Sequence, residues 1–229
     1  FVDGYYCAEL SESGSLEDVI SISALKAQPF ILSEKTLPAY SALELLNLAY
    51  LQEGALIKLA PASAKSTLQL IFFNTQSGWT QIRNQLLIKS EAQALILETY
   101  VSPGPAKINQ QTEIQVQEGG KLEYLKIQQE GSQTSHLGQT QIKLAAKAQC
   151  QAYSLNLGAS LARSDLAIYF QGEAARAKLL GLYVAQEQQH LDQHTLMHYS
   201  VPACEGEQVY LGIITDKARA VFNGKVKVA

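Results

Sequence analysis

The chain has 229 residues, 47% of them hydrophobic and 17% charged, with a formal net charge of −3. That length can bury a substantial core, and a mean hydropathy of −0.04 reads as globular. The charge balance gives no general attraction to nucleic acid or anionic lipid. No apolar run nears the roughly 18 residues that a membrane-spanning helix needs, so neither nucleic acid nor membrane is expected as a partner.

The opening FVDGYYCAEL has neither the basic nor the apolar stretch of a secretory leader, and it begins without Met, as a trimmed core would. Cys7, Cys150 and Cys204 lie far apart with no CxxC pair, which argues against a disulfide framework and against a self-contained zinc or iron–sulfur site. A reducing, cytoplasmic compartment is therefore expected, with each cysteine read as a small buried residue.

Residues 1–10 suggest a strand turned at Asp3-Gly4, followed by a polar loop through SESGS. Ser41 and Glu44 form a capping-box pattern ahead of LLNLAYLQ, with Gly54 placed to stop the helix. ALIKLAP reads as a short strand, and LQLIFFN, apolar without alternation, as a strand covered on both faces. Residues 1–83 thus form a small mixed α/β segment leading into the longer C-terminal part of the chain.

From residue 84 onward the chain is self-similar. AQALI at Ala92, GKLEY at Gly120, AKAQC at Ala146, ARAKL at Ala175 and ARAVF at Ala218 each begin with a small residue and have an apolar fifth. Their starts are 28, 26, 29 and 43 residues apart. Alternating segments such as TEIQVQ, TQIKLA and QVYLGII lie between them, bounded by turns such as QEGG and FQGE. Several short strands per period of nearly 30 residues, with a small residue at a fixed corner, describe stacked coils of parallel strands. The fold expected over 84–229 is a parallel β-helix, continuous with the N-terminal segment. The longer last interval predicts a widened coil between the fourth and fifth matches.

That interval contains QHLDQHTLMHYS, which carries three of the four histidines. On a helix, His190 and His194 could share an ion, but the Glu that an HExxH protease needs between them is missing. On a strand, four residues span about 13 Å, too far for both imidazoles to reach one zinc. Only Asp192 with one neighbouring histidine could then chelate. The repeat favours a strand, so no catalytic, cofactor or metal site is expected. His190, Asp192 and His194 stand as the metal candidates of a rival reading, a metal-dependent β-helix hydrolase. No GxxxxGK[ST], GxGxxG or GxSxG motif is present, and Trp79 is the single tryptophan, which gives little for sugar stacking. Arg163 and Asp165 read as a solvated ion pair.

The GLYVA turn at Gly181, QHLD at Gln189, His198, Pro202 and above all DKARAVFNGK from Asp216 resemble the SufB/SufD family of iron–sulfur cluster assembly scaffolds. FVDGYYCAELS and LLNLAYLQEGALIKL resemble its SufD branch. The family often has Ser and Lys where Gly206 and Leu211 stand here. The resemblance implies a right-handed parallel β-helix and a non-catalytic, cytoplasmic scaffold subunit. Its partners would be a SufB-like paralogue and a SufC-like ATPase, with the iron–sulfur cluster held by the assembled complex and none by this fragment. Family residues implicated in cluster assembly have no counterpart in this sequence. An open coil end further predicts a homodimer of the isolated core through edge pairing.

Overall fold

The computed structural model describes residues 1–12, 23–24, 41–62 and 64–229; most of the loop expected through SESGS lies outside the described residues. Its strands form two sheets. One contains β1 (Ser23–Ala24), β2 (Ala55–Leu59), β4 (Trp79–Ile88), β6 (Lys107–Val116), β8 (Ser135–Leu144), β10 (Leu161–Phe170), β12 (His190–Tyr199) and β14 (Arg219–Val228). The other contains β3 (Ser66–Phe73), β5 (Gln93–Val101), β7 (Lys121–Gln128), β9 (Gln149–Asn156), β11 (Arg176–Ala185) and β13 (Glu205–Ile214). Apart from the antiparallel β1–β2 pair, every strand pairing between named strands is parallel. The chain alternates between the sheets, making a flattened β-solenoid of about six turns. β2 and β3 are already strands of these sheets, so the coil takes up part of the first 83 residues.

Each strand of one coil lies in register on the next, as in Trp79↔Lys107↔Ser135↔Leu161↔His190↔Arg219. Period-two alternation then gives every column of side chains one fate, inward or outward. The tight corners leading into the odd-numbered strands share one device. Glu91, Gly119, Lys147, Ala174 and Ala203 all have positive φ, between 55° and 70°. Only one of these is glycine, so the corners hold ordinary residues in a conformation that costs about 1–2 kcal/mol each. Backbone hydrogen bonds between successive turns compensate, including Glu91 N–H to Glu118 O at 3.0 Å and Lys147 N–H to Glu173 O at 2.9 Å.

The residue after each corner points inward and is small: Ala92, Gly120, Ala148, Ala175 and Cys204. This is the corner that the repeat detected, with two corrections. AKAQC aligns through Ala148, not Ala146, because Gln149 is the residue that pairs with Lys121. ARAVF opens β14, in the opposite sheet from the other four matches. The true fifth corner is Cys204, 29 residues after Ala175, so there is no widened coil.

The Ser41 capping box forms as expected: Ser41 Oγ accepts from Glu44 N–H at 3.2 Å, and Glu44 Oε2 accepts from Ser41 N–H at 2.8 Å. The helix, α1 (Ala42–Ala49), ends earlier than Gly54. It rests on the outer face of β4 and β6, where the fully buried Asn47 donates to Ile82 O at 3.0 Å and to Asn109 O at 2.9 Å. The Asp3-Gly4 turn is present, joined by a Val2–Tyr5 bridge. From there Phe1 stacks on Phe72 and Phe72 on Tyr100, with ring centroids 4.9 Å apart in both cases. LQLIFFN departs from expectation: β3 alternates buried and exposed residues, leaving Ile71 47% and Phe73 38% exposed. A two-sheet solenoid covers only one face of each sheet.

Candidate functional site

The QHLDQHTLMHYS segment forms β12, an extended strand, with His190, Asp192, His194 and His198 on its outward face. Register places Asp192 beside Arg163 and His194 beside Asp165 on β10. The result is a four-residue cluster. Arg163 donates from Nε to Asp165 Oδ2 at 3.0 Å and from Nη1 to Asp192 Oδ2 at 3.0 Å. His194 Nε2 stands 2.9 Å from Asp192 Oδ1, within ion-pair range but not in hydrogen-bonding alignment. Hydrogen bonds from the guanidinium to Asp165 hold the pKa of Arg163 above its ordinary value. The isolated Arg163–Asp165 pair expected from sequence is thus one half of a cross-strand network. His198 lies apart, edge-on to Tyr169 with centroids 5.8 Å away.

Arg163, Asp165 and His194 of this cluster line a groove of about 650 Å³ that runs from Ser41 and Leu43 near the start of α1 across β8, β10 and β12 to β14. Of the three metal candidates, the structure brings Asp192 and His194 together. His190 lies further along the strand, at its first residue. Among the described residues no group of three or more His, Cys, Asp or Glu side chains is placed to hold a metal ion. Where a cation would bridge Asp192 and Asp165, the positive charge already present is Arg163. The arrangement is suited to fixing β10 against β12 and to presenting a polar surface.

A second cluster, unseen at the sequence level, fills one half of the solenoid interior. Glu98 is 1% exposed and accepts hydrogen bonds from the hydroxyls of Tyr100 and Tyr124, from Asn84 Nδ2 at 2.8 Å and from Thr112 Oγ1 at 3.0 Å. One coil along, Lys126 Nζ donates to Gln110 Oε1 at 2.6 Å and lies 3.3 Å from His136 Nε2. His136 Nδ1 is 2.5 Å from Glu130 Oε1. With His136 neutral, these contacts read as Lys126 donating to Nε2 and Nδ1–H donating to Glu130. Burial is the leading cause that lowers the pKa of both Lys126 and His136, opposed by the two glutamates. Burial also raises the Tyr100 and Tyr124 hydroxyls, which stay protonated as donors.

Gly138 makes this packing possible, since a Cβ there would lie 2.5 Å from Lys126 Nζ and 2.8 Å from His136 Nε2. The signal available in sequence was phase: in QALILETYV, Glu98 shares a face with Ala94, Ile96 and Tyr100, and that face is inward. At the other half of the interior Cys150 is surrounded by apolar residues, and burial pushes its thiol up to about 12, an inert side chain as expected.

Comparison with known proteins agrees with this architecture. Residues 71–229 match the family model described as SUF system FeS cluster assembly, SufBD core domain. The chain belongs to the SufBD family. An iron–sulfur cluster assembly SufBD family protein of Synechocystis is 25% identical over 250 aligned positions, covering 100% of this chain and 55% of the relative. The SufD protein of Escherichia coli is 26% identical over 149 positions, 64% of this chain and 35% of its own. That of Plasmodium falciparum is 22% identical over 170 positions, 72% of this chain and 12% of its own. The SufD-like character read from the N-terminal segments is supported by these names. The chain therefore spans about half or less of the length of the relatives it matches.

Proposed function

We propose that this chain is the β-solenoid core of a non-catalytic scaffold subunit in a SufBCD-type complex that assembles iron–sulfur clusters and passes them on. Its partners in that complex are a SufB-like paralogue and a SufC-like ATPase, in a cytoplasmic setting. The observation that carries the proposal is the SufBD core match over 71–229, laid on a solenoid whose coils it follows. The interior supports it: Glu98 and Lys126 are engaged in packing the coils, and the one buried thiol is held protonated. The cluster is cargo of the assembled complex, and no step of its assembly is assigned to residues of this chain.

Co-expression of the natural full-length protein with SufB-like and SufC-like subunits tests the reading. Association of all three through affinity and size-exclusion steps is expected; a protein that elutes free of both overturns the proposal. The metal-dependent hydrolase reading meets Arg163 at the position its cation would need. Elemental analysis of the purified chain is expected to find no stoichiometric zinc, manganese or iron.

A further inference from the structure

The two carboxylates inside the coils differ in how fully they are satisfied. Glu98 accepts from four donors and lies beside Lys126 on the next odd-numbered strand. Glu130 is 3% exposed and has one contact, between Oε1 and His136 Nδ1 at 2.5 Å; its Oε2 is buried without a partner. Glu98, Glu130 and Lys126 are the charged side chains buried inside the coils among the described residues, since Glu44 belongs to α1 and Arg83 pairs with Glu113 on the outer face of β4. Lys126 offsets only one of the two carboxylates. Burial, the leading influence on His136, holds that imidazole toward its neutral form. One negative charge is left over at Glu130, and an uncompensated charge in a closed interior is costly.

The surroundings of Glu130 present lone pairs. Two residues past the paired Phe72, Tyr100 and Gln128, the ladder sets Asn74, Ser102 and Glu130 side by side on three successive coils. Asn74 N–H donates to Val101 O at 2.9 Å, and Gly131 N–H to Ser102 O at 2.7 Å. Asn74 and Glu130 thus stand two strand spacings apart, about 9.6 Å, with only the short Ser102 side chain between them. Ser102 Oγ and Thr134 Oγ1 both donate to Gly104 O, at 2.9 and 3.0 Å, which leaves their lone pairs free to coordinate. Asn74 Oδ1 is buried and unpartnered, as is Gln128 Oε1, two residues before Glu130 on the same inward face.

We propose that the space over Ser102, between Asn74 and Glu130, binds a monovalent alkali cation, Na⁺ or K⁺. Glu130 Oε2 is its charged ligand. Asn74 Oδ1, Gln128 Oε1 and the Ser102 and Thr134 hydroxyls are the neutral oxygens available to it. Oxygen ligands without thiolate or free imidazole suit a hard cation. A single leftover carboxylate balances one positive charge, whereas calcium sites draw on several carboxylates and magnesium keeps most of its water. His136 is a positioning residue: its Nδ1–H faces Oε1 and orients the carboxylate, as partners of ligating carboxylates do. Bound there, the ion ties together the chain just past the ends of β3, β5 and β7, three successive coils at one corner of the solenoid.

Thermal unfolding in about 100 mM KCl or NaCl, against tetramethylammonium chloride at the same ionic strength, separates ion binding from screening. The organic cation screens surface charge equally and is too large for the site. The alkali salts are expected to raise the melting temperature by roughly 4 °C or more, as a ligand well above its dissociation constant does. Glu130→Gln is expected to abolish that difference. A second measurement needs no substitution: crystals of the unaltered protein grown in rubidium chloride are expected to show an anomalous peak in contact with Glu130 Oε2. Equal melting temperatures in the three salts, a difference that Glu130→Gln retains, or a water without anomalous signal at Glu130 Oε2 overturns the proposal. Failure here leaves the scaffold reading standing, since that rests on association with the SufB-like and SufC-like subunits.

Discussion

Gly138 sits where an even-strand backbone passes under the Lys126 ammonium, and its missing side chain is the space that Lys126 occupies. Gly138→Ala would push Lys126 Nζ off Gln110 and His136 inside a closed interior. A loss of about 1–3 kcal/mol in urea unfolding is expected. Pairing it with Lys126→Met, which replaces the crowded ammonium by a flexible apolar end, should recover part of that loss. The neighbouring imidazole makes a pH prediction. Burial lowers the pKa of His136 and the Lys126 charge adds to that, against Glu130 and Glu98, which favour the charged form. The unfolded chain therefore binds a proton below about pH 6.5 that the folded chain resists. Stability is full above that pH and falls as pH drops from about 6.5 toward the lower folded value. His136→Gln should flatten the slope of unfolding free energy between about pH 6.5 and 5; an unchanged slope would show that the imidazole takes no part.

At the scale of elements, the coil and its corners were legible because a parallel stack repeats one environment at one spacing. Ala92, Gly120 and Ala175 announce the corner, since only small side chains fit inside it. The phase of the repeat was less legible. Ala146 and Ala148 are both small, and only pairing with Lys121 separates them; Ala218 mimics the corner because the opposite corner also favours small residues. Buried polar residues such as Lys126 read as surface until the inward phase is known. α1 was legible from its cap, but its docking was not, because it depends on Asn47 meeting backbone carbonyls of distant strands. Asn47→Ala removes both of those hydrogen bonds and leaves Ile82 O and Asn109 O short of donors. Hydrogen exchange is expected to show the α1 amides losing protection by tenfold or more while β8 to β12 hold theirs. Equal loss throughout would mean that the helix and the solenoid unfold as one unit.

Over the whole molecule, each coil touches only the coils before and after it, so stability should be graded along the axis. Two of the aromatic stacks offer a way to measure that grading. Phe1, Phe72 and Tyr100 stack through the first coils, while Phe170 stacks on Tyr199 near the other end, with centroids 4.4 Å apart. Phe72 is 1% exposed and Phe170 is fully buried, so truncating either to alanine should cost about 3–5 kcal/mol locally. In a globular core both losses would be felt everywhere. In a solenoid, Phe72→Ala should open β3 and β5 while leaving exchange in β11 and β13 nearly unchanged, and Phe170→Ala should do the reverse. The polar cluster around Glu98, Lys126 and His136 adjoins the first stack, whose Tyr100 donates to Glu98, and extends from there toward the coil that carries Phe170. It is the place where one perturbation would be stopped or passed on. Combining both truncations should give additive losses within about 0.5 kcal/mol if the cluster decouples the ends. A coupling of about 1 kcal/mol or more would show that the buried charges make the coils fold as a single cooperative unit.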